Sequence, residues 1–583
     1  MPTLEWIGKE KVVNHHLEVP YRVLERKYSF DENGQAEADN GSENMVIHGD
    51  NLEALKSLLP QYEGRVKCIY IDPPYNTGNE GWVYNDNVND PHIKAWLNKT
   101  VGKEGEDLSR HDKWLCMMYP RLKLLQKLLA EDGAIFISID DTEYANLKLI
   151  CDEIFGSNCF VSNISWQRTY STRNDSKGIV NEVEHIVVYS KQSGWNPNKL
   201  PRTAEMDSKY KNPDNDRTLW RTDNAFAPGG ATHQGMVYAI QHPFTGKMLY
   251  PANGRHWTFG QDQMLEIMRG WCSYELRDLN DAHERAIVCG IPESDVRQGV
   301  QAIVLSEPLE ISAQKAQTVY DRGQWPRFFF TKGGKGGIAR KTYLDNVGGK
   351  LPTNFWPFSE TGHTDEAKKE MLAIFDGKAT FDTPKPHRLI EFVLKVAGSK
   401  DSLILDSFAG SGTTAHAVLN MNKADGGHRK FILVEMGDYA DSITAERVKR
   451  VIHGYGEGKN AVPGTGGNFS FYELGEPLMN GDVLNENVGV DKIREYVYFT
   501  DTKTPLPESS PEEPYLMGVH VNSAYYFYYE KQSVTTLNRQ FLHSVKTKAD
   551  AYVIYADLCT LSDTELEKYH ITFKKIPRDI TKL

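Results

Sequence analysis

Residues 69–78 read Ile-Tyr-Ile-Asp-Pro-Pro-Tyr-Asn-Thr-Gly. The apolar run Cys68-Ile69-Tyr70-Ile71 predicts a buried strand. Pro73 and Pro74 cannot continue it, because neither has the N–H a ladder needs. The chain must therefore turn out at the strand's end, which is where open α/β sheets bind ligands. There Asp72 offers a carboxylate, Pro73 and Pro74 offer carbonyls, and Tyr75 offers a flat ring. That set suits an exocyclic amine on a planar base: Asp72 and a proline carbonyl accept its two hydrogens while Tyr75 stacks. The plainer reading is a strand–turn junction with an ordinary acid and a packing tyrosine.

A second segment has the same grammar. Residues 403–414 read Leu-Ile-Leu-Asp-Ser-Phe-Ala-Gly-Ser-Gly-Thr-Thr, a strand ending at Asp406, a Gly-rich turn, and a helical start at Thr413. Gly410 and Gly412 let backbone approach a ligand closely. A phosphate-binding P-loop needs Lys after its last Gly, and Thr413 stands there instead. The next strand, Phe431–Glu435, ends in an acid, the usual holder of ribose hydroxyls in Rossmann-like units. NAD stays open only through the fingerprint variant with Ala last, since Ala415 fills that position. A nucleoside cofactor without pyrophosphate fits better, S-adenosyl-L-methionine above all.

Together these segments resemble the β-class amino-methyltransferases of DNA, and most closely the modification (Mod) subunits of type III restriction–modification systems. In that family Asp-Pro-Pro-Tyr precedes Phe-x-Gly-x-Gly, with target recognition between them. Here the two motifs follow in that order, about 330 residues apart. The resemblance implies an α/β fold: a Rossmann-like methyltransferase core in circularly permuted motif order, an inserted target-recognition domain and a small C-terminal α/β domain. The domains it suggests are an N-terminal extension (1–44), a first core segment with the catalytic motif (45–165), target recognition (166–380), a second core segment with the cofactor motif (381–456), and a linker with an interaction domain (457–583). It further implies methyl transfer to N6 of a flipped adenine, because Asp in the motif's first position favours adenine over cytosine N4. Asp72, Pro73, Pro74 and Tyr75 would be catalytic. Asp406, Phe408, Ala409, Gly410, Gly412, Thr413 and Glu435 would hold S-adenosylmethionine, with Asp50, Asp72 and Lys385 at the edge. The Thr383-Pro-Lys-Pro-His-Arg-Leu389 segment is the family-like stretch that brings Lys385 there. Implied partners are double-stranded DNA, a second copy of the chain and a helicase–nuclease restriction subunit. The setting would be bacterial cytoplasm, at the nucleoid. Methyl transfer needs no metal. Rival readings are a cytosine-N4 enzyme, an RNA amino-methyltransferase, and a catalytically silent DNA-recognition scaffold.

Composition agrees with a globular enzyme that grips DNA locally. The 583 residues leave room for two to four domains, and the net charge of −12 excludes a histone-like binder. No apolar run approaches the ~20 residues of a membrane span, and the first residues lack a signal-peptide pattern. The seven cysteines are odd in number and never spaced C-x-x-C, which predicts a reducing compartment rather than a disulfide framework.

Residues 79–112 form a long polar stretch with Trp82, Tyr84 and Trp96, a candidate lid or surface insertion. Leu122, Leu125, Leu128 and Leu129 predict one helix face ended by Gly133. Trp325–Lys341 contains no acid and spreads Arg327, Lys332, Lys335, Arg340 and Lys341 among glycines and aromatics. It predicts either a basic loop following a phosphate backbone or a β-hairpin with a solvated tip. Near the C-terminus, Glu495–Phe499 and Ala551–Tyr555 predict strands.

Overall fold

A computed structural model describes residues 3–77, 110–170, 179–508 and 511–578. The candidate lid residues Trp82, Tyr84 and Trp96 lie outside them. The chain divides into two compact units, one of residues 1–198 with 352–583 and one of residues 199–351.

The first unit is built on an eleven-stranded mixed sheet. Its centre runs, in spatial order, Leu129–Ile139, Val66–Ile71, Leu403–Asp406, Lys430–Glu435, Met45–His48 and Phe469–Pro477, all parallel. Ile69, Ile71, Ile135, Ile137, Leu405, Ile432 and Val434 are fully buried. Such unbroken apolar runs belong to parallel strands covered on both faces, and each such side chain contributes about 1.5–3 kcal/mol by leaving water. Helices Asn51–Tyr62, Arg110–Leu128 and Tyr144–Phe155 add Leu52, Leu55, Met117, Leu122, Leu125 and Ile150 to the same core. Val66–Ile71 and Leu403–Asp406 are neighbours, with Cys68 opposite Ile404. The strand that follows the first lies on one side of the pair, and the strand that follows the second lies on the other. Their carboxyl ends thus form the switch point at which open sheets take ligands.

Several boundaries differ from the sequence expectations. Leu129 opens a strand rather than closing the helix, and Gly133 sits inside that strand, where a Cβ would come within 2.9 Å of the Val66 carbonyl. Arg22–Asp31, placed in an N-terminal extension, pairs with Phe469–Pro477, placed in the C-terminal domain; both are strands of the large sheet. Phe160–Gln167, Val183–Ser190 and Phe355–Trp356 also join this sheet, so the inserted unit is narrower than 166–380. Glu495–Phe499 is helical, within Val490–Thr502, because Ile493, Val497 and Tyr498 share one buried face at helical spacing. Ala551–Ala556 is a strand, in a four-stranded sheet with Leu516–His520, Ser523–Phe527 and Ile571–Lys575.

The second unit has its own core of Trp220, Tyr238, Trp257, Trp271 and Phe328–Phe330. It holds a four-stranded and a three-stranded sheet. In the latter, Phe328–Phe330 and Ile338–Tyr343 form a hairpin, with Ile338–Tyr343 also paired to Trp220–Asn224.

Candidate active site

Asp72 leaves the strand end partly exposed, and the chain turns at Asn76, which has φ 60°. The Asn76 side chain holds that turn by donating to the Arg110 carbonyl and to the fully buried Glu143. The Trp114 indole donates to the Pro74 carbonyl at 2.7 Å. Of the two proline carbonyls, that leaves Pro73's without a donor among the described residues.

Five side chains meet at this loop. Lys385 Nζ lies 2.8 Å from both oxygens of Asp72, and the Tyr75 hydroxyl donates to Asp72 Oδ1 at 2.9 Å. Glu184, on Val183–Ser190, accepts from Tyr75 at 3.2 Å and from Arg168 Nη1 at 2.8 Å. The Lys385 ammonium is 5.0 Å from the centre of the Tyr75 ring, so this face is engaged by a cation. Burial pushes the Asp72 carboxyl up, and Lys385 offsets only part of that. For Lys385 the balance reverses: burial would lower it, and Asp72 with Glu184 outweighs burial and holds it above the usual lysine range. Burial would raise Glu184 too, but Lys385 and Arg168 keep it below the usual carboxylate range. Glu184 and Arg168 were missed from the sequence. The one available signal was an acid, followed by His185, within the strand-forming run from Val183 to Tyr189.

The Gly-rich turn lies beside this cluster. Asp406 accepts from the Phe408 N–H at 3.1 Å and from the Thr414 hydroxyl at 2.6 Å, and burial pushes it up to about 7. Gly410 has φ 51° and a Cβ there would stand 3.1 Å from the Phe381 ring; Gly412 has φ 79° and would meet the Thr444 carbonyl at 2.9 Å. Asp72, Lys385, Asp406, Phe408, Ala409, Gly410 and Thr413 line one cleft, together with Tyr70 and Phe381. Asp50, Gly412 and Glu435 do not line it. Asp50 caps helix Asn51–Tyr62 by accepting from the Leu52 N–H. Glu435 accepts the N–H groups of Gly410 and Gly437, which makes it a brace for the turn. The Ser407 hydroxyl is buried with no hydrogen-bond partner among the described residues.

Behind the turn Arg447, fully buried, donates to Ser411 Oγ at 2.9 Å and Thr413 Oγ1 at 2.8 Å. Glu370, His387 and His416 converge there with metal-like spacing. Arg447 Nη2, however, sits 3.1 Å from both Glu370 Oε2 and His416 Nδ1, and so a cation already occupies that position.

In the second unit the basic segment divides sharply. Lys341 is fully buried and bonds Asp214 at 2.5 Å, Asp216 at 2.6 Å and the Trp325 carbonyl at 2.7 Å. This corrects its assignment as a DNA contact, since a fully buried lysine held by three partners cannot reach a phosphate. Arg340 pairs with Asp223 at 3.2 Å. Arg327 is exposed, over the Phe259 ring. Lys332 and Lys335 are exposed at the hairpin tip.

The fold and site define an α/β protein with an acid–proline turn and a Gly-rich turn on neighbouring parallel strands. Residues 66–446 match the model of the DNA methylase family, and the chain belongs to that family. It is 34% identical to the type III restriction-modification enzyme StyLTI Mod subunit of Salmonella typhimurium (strain LT2), over 77% of this chain and 62% of that one. The EcoPI Mod subunit of Escherichia phage P1 is 29% identical, over 74% of this chain and 63% of its own. The type II methyltransferase M.KpnI of Klebsiella pneumoniae is also 29% identical, over 70% and 84%. The chain thus spans somewhat under two thirds of the two Mod subunits. Among solved structures, the PvuII DNA methyltransferase (cytosine-N4-specific) overlaps 70% of this chain and 86% of its own at 13% identity, with a TM-score of 0.31. No helix among the described residues is long and apolar enough to cross a membrane.

Proposed function

We infer that this chain is a site-specific DNA methyltransferase that moves a methyl group from S-adenosylmethionine to N6 of a flipped adenine, as the modification and recognition subunit of a type III restriction–modification system. The observation that carries this reading is a single cleft. Asp72 from one motif and Asp406, Phe408 and Gly410 from the other line it, although about 330 residues separate them.

The residues present fit the cofactor. Gly410 lines the cleft without a side chain, and Asp406 and Asp72 line it with carboxylates for an amino or hydroxyl group. When bound, S-adenosylmethionine supplies an activated methyl on a sulfonium. The chain supplies orientation and electrostatics. An aromatic amine is a weak nucleophile because its lone pair is delocalised into the ring. With its hydrogens on Asp72 and the Pro73 carbonyl, the nitrogen turns its lone pair out of the ring plane. Asp72, pushed up by burial, can then hold the proton that leaves nitrogen. Flipping the base costs a few kcal/mol, offset by stacking on Tyr75.

Two tests are immediate. Incubating the protein with DNA and S-adenosylmethionine and sequencing the modified bases should give N6-methyladenine at one motif; N4-methylcytosine or unmodified DNA overturns the assignment. Gly410→Val should abolish the calorimetric signal for S-adenosylhomocysteine, and undiminished affinity would place the pocket elsewhere.

Target recognition falls to the second unit in this reading, with Lys332 and Lys335 as phosphate contacts. Replacing both by Ala should weaken DNA binding and flatten its log–log dependence on salt by about 0.9 per lost contact. An unchanged slope would leave the hairpin a structural element. A second copy of the chain and a helicase–nuclease subunit complete the proposed assembly.

A further inference from the structure

Asp72 is not a bare acceptor. Lys385 Nζ is 2.8 Å from each oxygen and the Tyr75 hydroxyl is 2.9 Å from Oδ1. About three of the roughly four acceptor positions of a carboxylate are thus filled. A carboxylate neutralised by an ammonium is also a weak acceptor for a neutral amine. Yet the transfer proposed above needs Asp72 to take an amine hydrogen. A second carboxylate faces the same two donors: Glu184 Oε2 lies 3.2 Å from the Tyr75 hydroxyl and 3.6 Å from Lys385 Nζ. Its other oxygen is fixed by Arg168 at 2.8 Å, and the residue is 6% exposed on a strand of the large sheet. It therefore cannot swing away, whereas the donors need to shift by only about 1 Å to bond it fully.

We propose that Glu184 is a positioning residue, the carboxylate that receives the Tyr75 hydroxyl and the Lys385 ammonium when the substrate amine displaces them from Asp72. This role rests on the methyl-transfer reading above. It explains why an acid is buried two strands away from the catalytic strand, where the cleft residues alone do not require one. Charge is conserved in the exchange. Two cations, Lys385 and Arg168, stay matched to two carboxylates throughout, and only the hydrogen-bond pairing changes.

A double-mutant cycle tests it, because residues that act through one another are not additive. Glu184→Gln should lower kcat about tenfold or more while leaving the Kd for S-adenosylhomocysteine within about twofold. Tyr75→Phe keeps the ring but removes one donor from Asp72. In that background the same Glu184→Gln change should lower kcat by less than about threefold. Equal losses in both backgrounds, or a kcat unaffected by Glu184→Gln, overturn the role. If Glu184→Gln alone does not fold, the charge-balanced pair Arg168→Gln with Glu184→Gln replaces it in the same cycle, with the same criterion. A wild-type protein that methylates adenine while the cycle is additive overturns only Glu184's role. A wild-type protein that methylates no DNA overturns the proposed function and this role with it.

Discussion

Asp72→Ala should lower single-turnover methyl transfer by about a thousandfold or more, with the protein still folded. Correctly placed acid–base and hydrogen-bonding groups each contribute about 10²–10⁴ in rate, and Asp72 combines both tasks. In the proposed mechanism it is the acceptor that directs the nitrogen lone pair and the group that takes the released proton. The fold should survive because Asp72 lies past the strand end, outside the packed core. Lys385 also retains Glu184 within 3.6 Å, so no buried cation is stranded. Asp72→Asn should be nearly as inactive, since its NH₂ would face the Lys385 ammonium. Circular dichroism with a rapid-quench assay measures both halves of the expectation. Turnover near that of the wild type in a folded Asp72→Ala protein would eliminate the acceptor mechanism.

Lys341→Ala should produce the largest stability loss of any basic residue in the Trp325–Lys341 segment, about 3–5 kcal/mol. The substitution leaves Asp214, itself 2% exposed, and the neighbouring Asp216 without their cation, and it removes the donor to the Trp325 carbonyl. Lys341 also lies 4.9 Å from the Trp220 ring, at the centre of this unit's core. Lys332→Ala and Lys335→Ala, on the exposed tip, should change stability by no more than about 0.5 kcal/mol. Denaturant titration of the three variants separates the cases. A Lys341→Ala midpoint equal to that of Lys332→Ala would mean the ion pair contributes nothing.

The contrast between these lysines marks where sequence reading runs out. Both turns were legible because each combines an apolar run with a local feature that ends it, Pro73-Pro74 in one case and Gly410-Ser-Gly412 in the other. Local chemistry fixes local conformation there. Lys341 was read with the exposed cations because its partners, Asp214 and Asp216, lie about 125 residues earlier, and nothing near Lys341 announces them. The same holds for Glu184, whose partners come from the segments around Tyr75, Arg168 and Lys385. Glu495–Phe499 failed for another reason. Tyr-Val-Tyr-Phe is rich in strand formers, but the burial of Ile493, Val497 and Tyr498 overrides propensity. Val183–Tyr189 was legible as a strand, but the large sheet runs past residue 166 because Phe160–Gln167 pairs with Val183–Ser190 in an antiparallel contact that nothing local announces.

The second unit begins and ends at neighbouring stretches of backbone. Its two ends are tied by a short antiparallel bridge, where Leu200 and Lys350 exchange backbone hydrogen bonds of 2.7 and 2.8 Å. The excursion from 199 to 351 therefore leaves and returns at nearly one point, like a loop knotted at its neck. Any segment whose own ends close to that span can be grafted there without altering the register of the strands on either side. Recombination at the neck would exchange residues 199–351 as one cassette and leave Asp72, Lys385 and Gly410, all outside it, unchanged.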